Sequence, residues 1–298
     1  MTTTTTSAWT PLSIISWGVD YLRGREIDSP RLTVELLLSH TLQCRRIDLY
    51  TNFEKPLTSQ ELARFKELLK RRLDHEPLQY ILGKTEFMGL EFLITPSVFI
   101  PRPETERLVE AVLEECKQCV DCESSLNVLD IGTGSGNIPI SLAHYDSRIK
   151  CVASDISGDA LAVAQQNALK HQVAGKILFV KQDILQLFPE KYTPFDIVVS
   201  NPPYIALEEY KYLQPEITRY EPRRAATDEK DGLVFFKRIT SLMPKLLKAQ
   251  GKCFIEIAYN QGEEVASLFS SIFQDVSIIK DYSGNDRVVC GRGVGQNG

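Results

Sequence analysis

The sequence contains no apolar run approaching the roughly 18 residues that a membrane-spanning helix needs. Its Thr-rich start, Met1 to Ser7, has neither the basic stretch nor the apolar core of a secretory leader. A soluble cytoplasmic protein is expected. A paired cysteine framework is also missing, because seven cysteines in 298 residues leave one thiol over, and a reducing compartment without disulfides is the simpler reading. An excess of basic residues is lacking too: the formal net charge is −5, with 12 basic and 12 acidic residues in 1–100 and 22 against 27 beyond. That balance argues against a phosphate backbone as the main ligand. The only histidines, His40, His75, His144 and His171, are scattered as surface or packing residues. Cys116, Cys119 and Cys122 form a C-x2-C-x2-C run that could ligate a metal or cluster. On a helix these three fan over roughly 120°, and no fourth ligand lies nearby, so no metal is expected.

What is present is globular composition, 43% hydrophobic and 24% charged, in a chain long enough for two domains. Residues 1–76 read as a small helical bundle. Leu12, Ile15, Val19 and Leu22 recur at helical spacing; Ser29-Pro30 is an N-cap with a first-turn proline opening the run Leu32 to Leu42. Thr58-Ser59-Gln60-Glu61 is a capping box ahead of Leu62, Phe65, Leu68, Leu69 and Leu73. Between Glu61, Glu67 and Asp74, the residues Arg64, Lys66, Lys70, Arg71 and Arg72 give that helix a solvated face. Residues 77–104 read as a β-hairpin linker, with short β-type runs at Tyr80 to Gly83, Phe87 to Leu90, Phe92 to Thr95 and Val98 to Ile100.

Residues 105–298 alternate strand and helix. Buried runs at 127–131, 151–154, 177–180, 195–200, 252–258, 276–280 and 287–290 are separated by helical stretches such as 105–118, 157–171, 231–248 and 260–273. The expected class is therefore α/β, a seven-stranded Rossmann-like domain with a mostly parallel sheet whose ligands sit at the carboxyl ends of the strands. The first strand runs through Asp130 into Gly132-Thr133-Gly134-Ser135-Gly136. Alternating glycines let the backbone approach a ligand closely, although an ordinary tight turn would use them as well. A dinucleotide fingerprint needs glycine where Asn137 stands, and an acid before the loop suits S-adenosylmethionine, which carries a sulfonium and an ammonium. Asp155 ends the second strand 19 residues beyond Gly136, where an acid accepts from ribose hydroxyls or caps the helix starting near Ser157. After the third strand, Asp183 could accept from an adenine amino group and Ile184 pack on its ring, which the residues alone do not decide.

The fourth strand delivers Asn201-Pro202-Pro203-Tyr204. Two prolines stiffen this loop and remove donors, so it presents acceptors to a planar –NH2 group. With Asn201 and the Pro202 carbonyl each accepting one N–H, the nitrogen lone pair can be aimed at a methyl carbon, while Tyr204 stacks on the planar group. A methyltransferase acting on an amide or amine nitrogen follows. Asn201, Pro202 and Tyr204 are the candidate catalytic residues, and Asn201 to Tyr204 the candidate substrate loop.

The chain resembles the release-factor glutamine N5-methyltransferase family (PrmC/HemK type) over nearly its whole length. The likeness rests on Asp48 to Tyr50, Arg71-Arg72, Pro77 to Tyr80, Gly83, Glu86-Phe87, Ile100 to Glu106, Asp130 to Gly136, Asn201 to Tyr204, Tyr220 to Pro222, Asp231 to Leu233 and Asn285 to Arg287. It implies a class I methyltransferase domain that uses S-adenosyl-L-methionine on the glutamine of the Gly-Gly-Gln motif of peptide-chain release factors. It also implies an N-terminal bundle that helps dock this protein substrate; a monomer is expected, and the charge balance predicts no nucleic-acid target. The resemblance implies cofactor contacts at Gly132 to Gly136, Asp155, Ile184 and Asn201, and glutamine contacts at Asn201 to Tyr204. One departure is Ala225-Ala226-Thr227-Asp228-Glu229-Lys230, where the family has a Gly-Gly pair, which puts the shape of that loop in question. Two rival readings stand beside it: methylation of an exocyclic amine of a nucleic acid, which the same loop could serve after base extrusion, and a non-enzymatic module that keeps the fold.

Overall fold

A computed structural model describes residues 8–25, 27–118, 125–186 and 188–295. The chain divides into two compact units, Met1–Gly83 and Lys84–Gly298, a division that falls inside the expected linker.

The first unit is helical: α1 (Pro11–Leu22), α2 (Pro30–Leu42), α3 (Asp48–Thr51), α4 (Ser59–Leu73) and α5 (Leu78–Leu82). Its core joins Ile14, Ile15 and Leu22 to Val34, Leu37, Leu38, Phe65, Leu68, Leu69 and Ile81. α1 approaches α2 so closely at Gly18 that a Cβ there would lie 2.8 Å from Val34 Cγ2. The buried stripe therefore runs through Ile14, Ile15, Gly18 and Leu22, and the expected core residue Leu12 is exposed. The Thr58 to Glu61 capping box forms as expected. Ser29 stands at the N-cap of α2 but at φ 48, and its side chain makes no capping bond; the left-handed backbone turns it from the first-turn amides. Arg72 is buried, and Arg71 pairs with Glu76, so both leave the expected solvated face of α4. Tyr80 to Leu82 are helical rather than extended. Pro77 presets the first turn, Gly83 ends it at φ +71, and burial of Tyr80 and Ile81 outweighs their strand preference.

The second unit begins with the hairpin β1 (Lys84–Phe87) and β2 (Leu90–Leu93), turning through Met88 and Gly89. Val98 to Ile100, expected as strand, forms no ladder: between Pro96 and Pro101, Val98 closes a turn by donating to Thr95 O at 3.1 Å, and the Ile100 N–H goes to Glu221 Oε2 at 3.0 Å. Then follow α6 (Glu106–Gln118), β3 (Leu126–Ile131), α7 (Asn137–Tyr145), β4 (Ile149–Asp155), α8 (Gly158–Lys170), β5 (Ile177–Lys181) and β6 (Phe195–Ser200). Three short helices, α9 (Leu207–Tyr210), α10 (Pro215–Tyr220) and α11 (Arg223–Ala226), precede α12 (Val234–Leu246), β7 (Leu247–Glu256), α13 (Gly262–Ser270), β8 (Phe273–Lys280) and β9 (Asp286–Val294). The sheet order is β5-β4-β3-β6-β7-β9-β8, parallel except for β9, which runs antiparallel between β7 and β8.

Val128, Leu129, Val198, Val199, Phe254 and Ile255 on the central strands are all fully buried, because helices cover both faces. Phe236, Ile239, Met243 and Phe269 of α12 and α13 seal one face, each contributing about 1.5–3 kcal/mol of burial. α6, α7 and α8 pack on one another over the other face. The buried Asn167 amide of α8 donates to Leu93 O at 3.0 Å and Ser135 O at 2.9 Å, and accepts from Leu93 N at 2.7 Å. One side chain thus holds both β2 and the glycine loop. Strand order reverses between β3 and β6, and the register pairs Ile131 with both Ser154 and Ser200, and Ser200 with Ile255. Gly132, Asp155, Asn201 and Glu256 therefore leave neighbouring strand ends at one level, at the switch point where such sheets bind ligands.

Among the described residues no helix is long and apolar enough to cross a membrane, and no group of three His, Cys, Asp or Glu is placed to hold a metal ion. Cys119 and Cys122 lie outside the described residues; Cys116 is buried in α6.

Candidate active site

The turn after β3 is built around close approach. Gly132, Gly134 and Gly136 all have positive φ, and a Cβ on Gly136 would meet Ile140 Cδ1 at 2.9 Å and Ala164 Cβ at 3.0 Å. A Cβ on Gly134 would meet nothing within 4 Å, so the loop opens there onto free space. Gly132 N and Thr133 N both donate to Ser154 O at 2.9 Å, stitching the loop to the end of β4. Asp155 clasps it from the other side, with Oδ2 accepting from Gly134 N and Oδ1 from Ser157 N, both at 2.9 Å. Ser157 itself caps α8 through Ala160 N, so Asp155 is free of that duty and keeps lone pairs on both oxygens. Burial raises the Asp155 carboxyl above its ordinary value, opposed by the amides of Ser157, Gly134 and Ile156.

Asp130 is fully buried, and neither of its oxygens has a hydrogen-bond partner; nor has the Thr133 hydroxyl. Burial pushes its carboxyl up to about 7, opposed by the nearby Thr133 hydroxyl and reinforced by the charge of Asp155. A buried carboxylate without a partner is costly unless a cation completes it. The loop thus fits a ligand that brings positive charge to a glycine-lined opening, as the sulfonium and ammonium of S-adenosylmethionine would. Asp183 accepts from Leu185 N at 2.9 Å through Oδ1, and Ile184 is buried in the core beside Leu129 and Ile131.

Beyond β6, Asn201 Nδ2 donates to Thr105 Oγ1 at 3.0 Å. The half-buried carboxamide therefore keeps its oxygen for another partner. Tyr204 donates its hydroxyl to Glu256 Oε1 at 3.1 Å, and its carbonyl accepts from Gln261 Nε2 at 3.0 Å. Burial, then the neighbouring Glu256 carboxylate, hold the Tyr204 phenol well above its usual range. Burial pushes Glu256 up to about 7, opposed by Thr105, Arg287 and Tyr204. The segment before α6 is tied in by Glu221, which pairs with Arg102 and takes the Ile100 amide.

The loop that departs from the family pattern is ordered by its own acid. Asp228 Oδ1 accepts from Lys230 N at 2.8 Å and Gly232 N at 3.0 Å, and Oδ2 from Val234 N at 3.0 Å. Ala225 and Ala226 sit in α11, Thr227 bridges Ile205, and Glu229 takes the left-handed turn at φ 61. Gly232 lies beneath Tyr204, where a Cβ would come 2.5 Å from Tyr204 O.

The strand ends thus bring together Asp130, Gly132 to Gly136, Asp155 and Asn201 to Tyr204; Asp183 and Ile184 follow β5. Thr105, Gly232, Glu256 and Gln261 join the site as well, without a role expected from the sequence. For Glu256 a signal existed: like Asp130, it is an acid inside a largely apolar run, at 252–258.

Two family models match the chain: the PrmC N-terminal domain over residues 13–83 and a methyltransferase domain over residues 122–285. A release factor glutamine methyltransferase from Chlorobaculum tepidum is 39% identical over 282 residues, covering 94% of this chain and 96% of that protein. One from Geobacter sulfurreducens is 40% identical, covering 95% and 97%, and one from Bacillus subtilis 37%, covering 93% and 95%. Among solved structures, the hMettl16 catalytic domain in complex with MAT2A 3′UTR hairpin 6 matches with a TM-score of 0.56 at 18% identity, covering 77% of this chain and 83% of that one. That likeness shows the shared fold alone. Sequence kinship over nearly the full length of both partners, on a site built as described, shows that the chain is a methyltransferase and belongs to the release factor glutamine methyltransferase family.

Proposed function

We propose that this enzyme methylates the side-chain N5 nitrogen of the glutamine in the Gly-Gly-Gln motif of a peptide-chain release factor, acting as a monomer in the cytoplasm. S-adenosylmethionine, when bound, supplies an electrophilic methyl group on a sulfonium. The loop Gly132 to Gly136, with Asp130, Asp155, Asp183 and Ile184, forms the cofactor side, and Asn201 also borders it. Asn201 to Tyr204 form the substrate side, and the N-terminal bundle helps dock the protein.

The single observation that carries this reading is the polarity of the Asn201 carboxamide. With Nδ2 committed to Thr105, Oδ1 is left to accept. Oδ1 and the Pro202 carbonyl then each take one N–H of the incoming –NH2 group, which disfavours delocalisation of its lone pair into the amide carbonyl. As the N–C bond forms, the methyl's bond to the sulfonium sulfur would break with its electron pair staying on sulfur, positive charge grows on nitrogen, and the same two acceptors stabilise it. The Tyr204 ring covers the planar group and excludes water. One proton then leaves the nitrogen for solvent, giving the neutral N-methyl amide.

Radiolabelled methyl transfer tests the reading. Label is expected on a purified release factor and not on a Gln→Ala variant of its Gly-Gly-Gln motif, nor on DNA or RNA; label on nucleic acid alone would overturn it.

The acid before the glycine loop makes a second prediction. A carboxyl at about 7 must ionise to meet a cation, so cofactor affinity should rise with pH through 7 and level off above it. Proton competition lowers affinity about tenfold at pH 6. Asp130→Asn keeps the shape without the charge, and titration calorimetry should show affinity lowered about tenfold to a hundredfold at pH 8, with the pH dependence gone. The sign for stability is opposite. The folded state holds this proton more tightly than the unfolded chain does, so ligand-free stability falls as pH rises from about 4 to about 7. Asn at 130 should therefore raise the ligand-free melting temperature at pH 8. A variant that binds and melts like the parent would contradict the assignment.

A further inference from the structure

Asn201 can serve as described in only one of its two rotations. Turned by 180° about its terminal bond, the carboxamide would present –NH2 to the substrate –NH2, two donors facing each other. Something in the site must select the productive rotation, and the residues that do so lie behind Asn201 rather than in front of it.

We infer that Thr105 and Glu256 are positioning residues for methyl transfer: together they set the direction of a hydrogen-bond chain that holds the Asn201 carboxamide with its oxygen toward the acceptor nitrogen. The inference rests on the amide-acceptor reading above and adds two residues to it. Thr105 is 1% exposed, stands just before α6 and accepts from Asn201 Nδ2 through Oγ1 at 3.0 Å. A hydroxyl has one proton to give, and its direction decides what the oxygen can do toward Asn201. Glu256, also 1% exposed, ends β7 beside the end of β6. Its Oε1 accepts from Tyr204, and its Oε2 is buried without a partner. Thr105 is the first group opposing the rise of this carboxyl, as a hydroxyl donor does, though the contact falls short of full hydrogen-bond geometry and leaves Oε2 unpartnered. A carboxylate can only accept. Ionised Glu256 therefore draws the Thr105 proton toward itself, leaves the Thr105 lone pairs to the Asn201 –NH2, and turns the Asn201 oxygen outward. A neutral Glu256 loses that command: the Thr105 hydroxyl can donate to Asn201 Oδ1, and the carboxamide can rotate into the unproductive state.

The groups around Glu256 fix the pH at which this happens. Arg287 from β9, Thr105 and the Tyr204 hydroxyl favour the ionised form, while burial and Glu104 oppose it, and the carboxyl sits at about 7. The turnover number at saturating methyl donor should fall below pH 7 with the slope of one proton.

The test measures methyl transfer to a purified release factor, with cofactor affinity read separately by calorimetry. Thr105→Val removes the hydroxyl and keeps the shape; Thr105→Ser restores the hydroxyl. Val should lower the turnover number about tenfold to a hundredfold with KM for the release factor nearly unchanged, and Ser should recover most of it. Cofactor affinity should change little in either. Glu256→Gln can donate as well as accept, so it should turn over slowly and without the acid limb. Normal turnover in the Val variant, a Ser variant as slow as Val, or an unchanged acid limb in Glu256→Gln would overturn the inference. Failure of the parent enzyme to methylate the release factor would instead overturn the substrate reading, so the two failures are distinguishable.

Discussion

Asn201→Ala is expected to lower methyl transfer about a thousandfold while cofactor affinity stays within a few-fold of the parent. The size follows from what is removed. The side-chain acceptor is held in place before substrate arrives, by Thr105 at 3.0 Å on a loop stiffened by Pro202 and Pro203. It requires little reorganisation as charge develops on nitrogen. Deleting one preorganised hydrogen-bonding group from a reaction site costs about 10²–10³ in turnover. Here the remaining Pro202 carbonyl can hold only one of the two N–H bonds, so the lone pair also loses its aim, and the upper end of that range applies. The fold should tolerate the change, because Asn201 is half-buried and outside the main core. Single-turnover transfer, calorimetric cofactor binding and a melting curve together check it. A variant with parental turnover would remove the carboxamide from the chemistry, and one that no longer binds cofactor would make holding the cofactor, rather than the acceptor nitrogen, the main task of Asn201.

The second large effect is expected at Gly232, which touches no reactant. Its φ is +81, and a Cβ there would lie 2.5 Å from Tyr204 O, 3.0 Å from Gln261 Nε2 and 3.4 Å from Ala206 N. The first of these is main chain, so relief requires moving the Asn201 to Tyr204 loop itself rather than a flexible side chain. Gln261 would also be displaced from Tyr204 O, leaving a carbonyl without its donor. Gly232→Ala should therefore reduce turnover about a hundredfold through misplacement of the loop, and lower stability by about 1–3 kcal/mol from strain at a left-handed residue. Cofactor affinity, set on the far side of β3, should be nearly unchanged. Parental turnover with a crystal structure showing Tyr204 in place would refute the claim that this glycine seats the loop.

Much of this was legible in the residues. The seven strands of the sheet showed as buried runs, since a parallel sheet covered on both faces writes its strands as unbroken apolar segments. Asp130 could be found as the acid inside the first such run, and the three glycines, Asp155 and the Asn201 to Tyr204 loop because each directly follows one. The stretch 201–230 was harder: α9, α10 and α11 span four to six residues each, too short for helical periodicity to register. Tyr80 to Gly83 is the opposite case: local preference points to strand, while Pro77, Gly83 and burial impose the helical turn Leu78–Leu82. Nor could spacing reveal that Thr105, 96 residues before Asn201, receives its amide, or that Glu256 lies beneath Tyr204. Such contacts come from strand order, and a sheet numbered 5-4-3-6-7-9-8 places distant segments side by side.

The three hydrogen bonds of Asn167 carry a mechanical consequence. Because one rigid amide holds both the N–H and the carbonyl of Leu93 and also the Ser135 carbonyl, the hairpin cannot swing without dragging the glycine turn after β3, and neither can serve as an independent flap. The other rim is fastened differently: the short helices between Ile205 and Lys230 are anchored by Glu221 to Arg102 and the Ile100 amide, and the turn that follows them by the three bonds of Asp228.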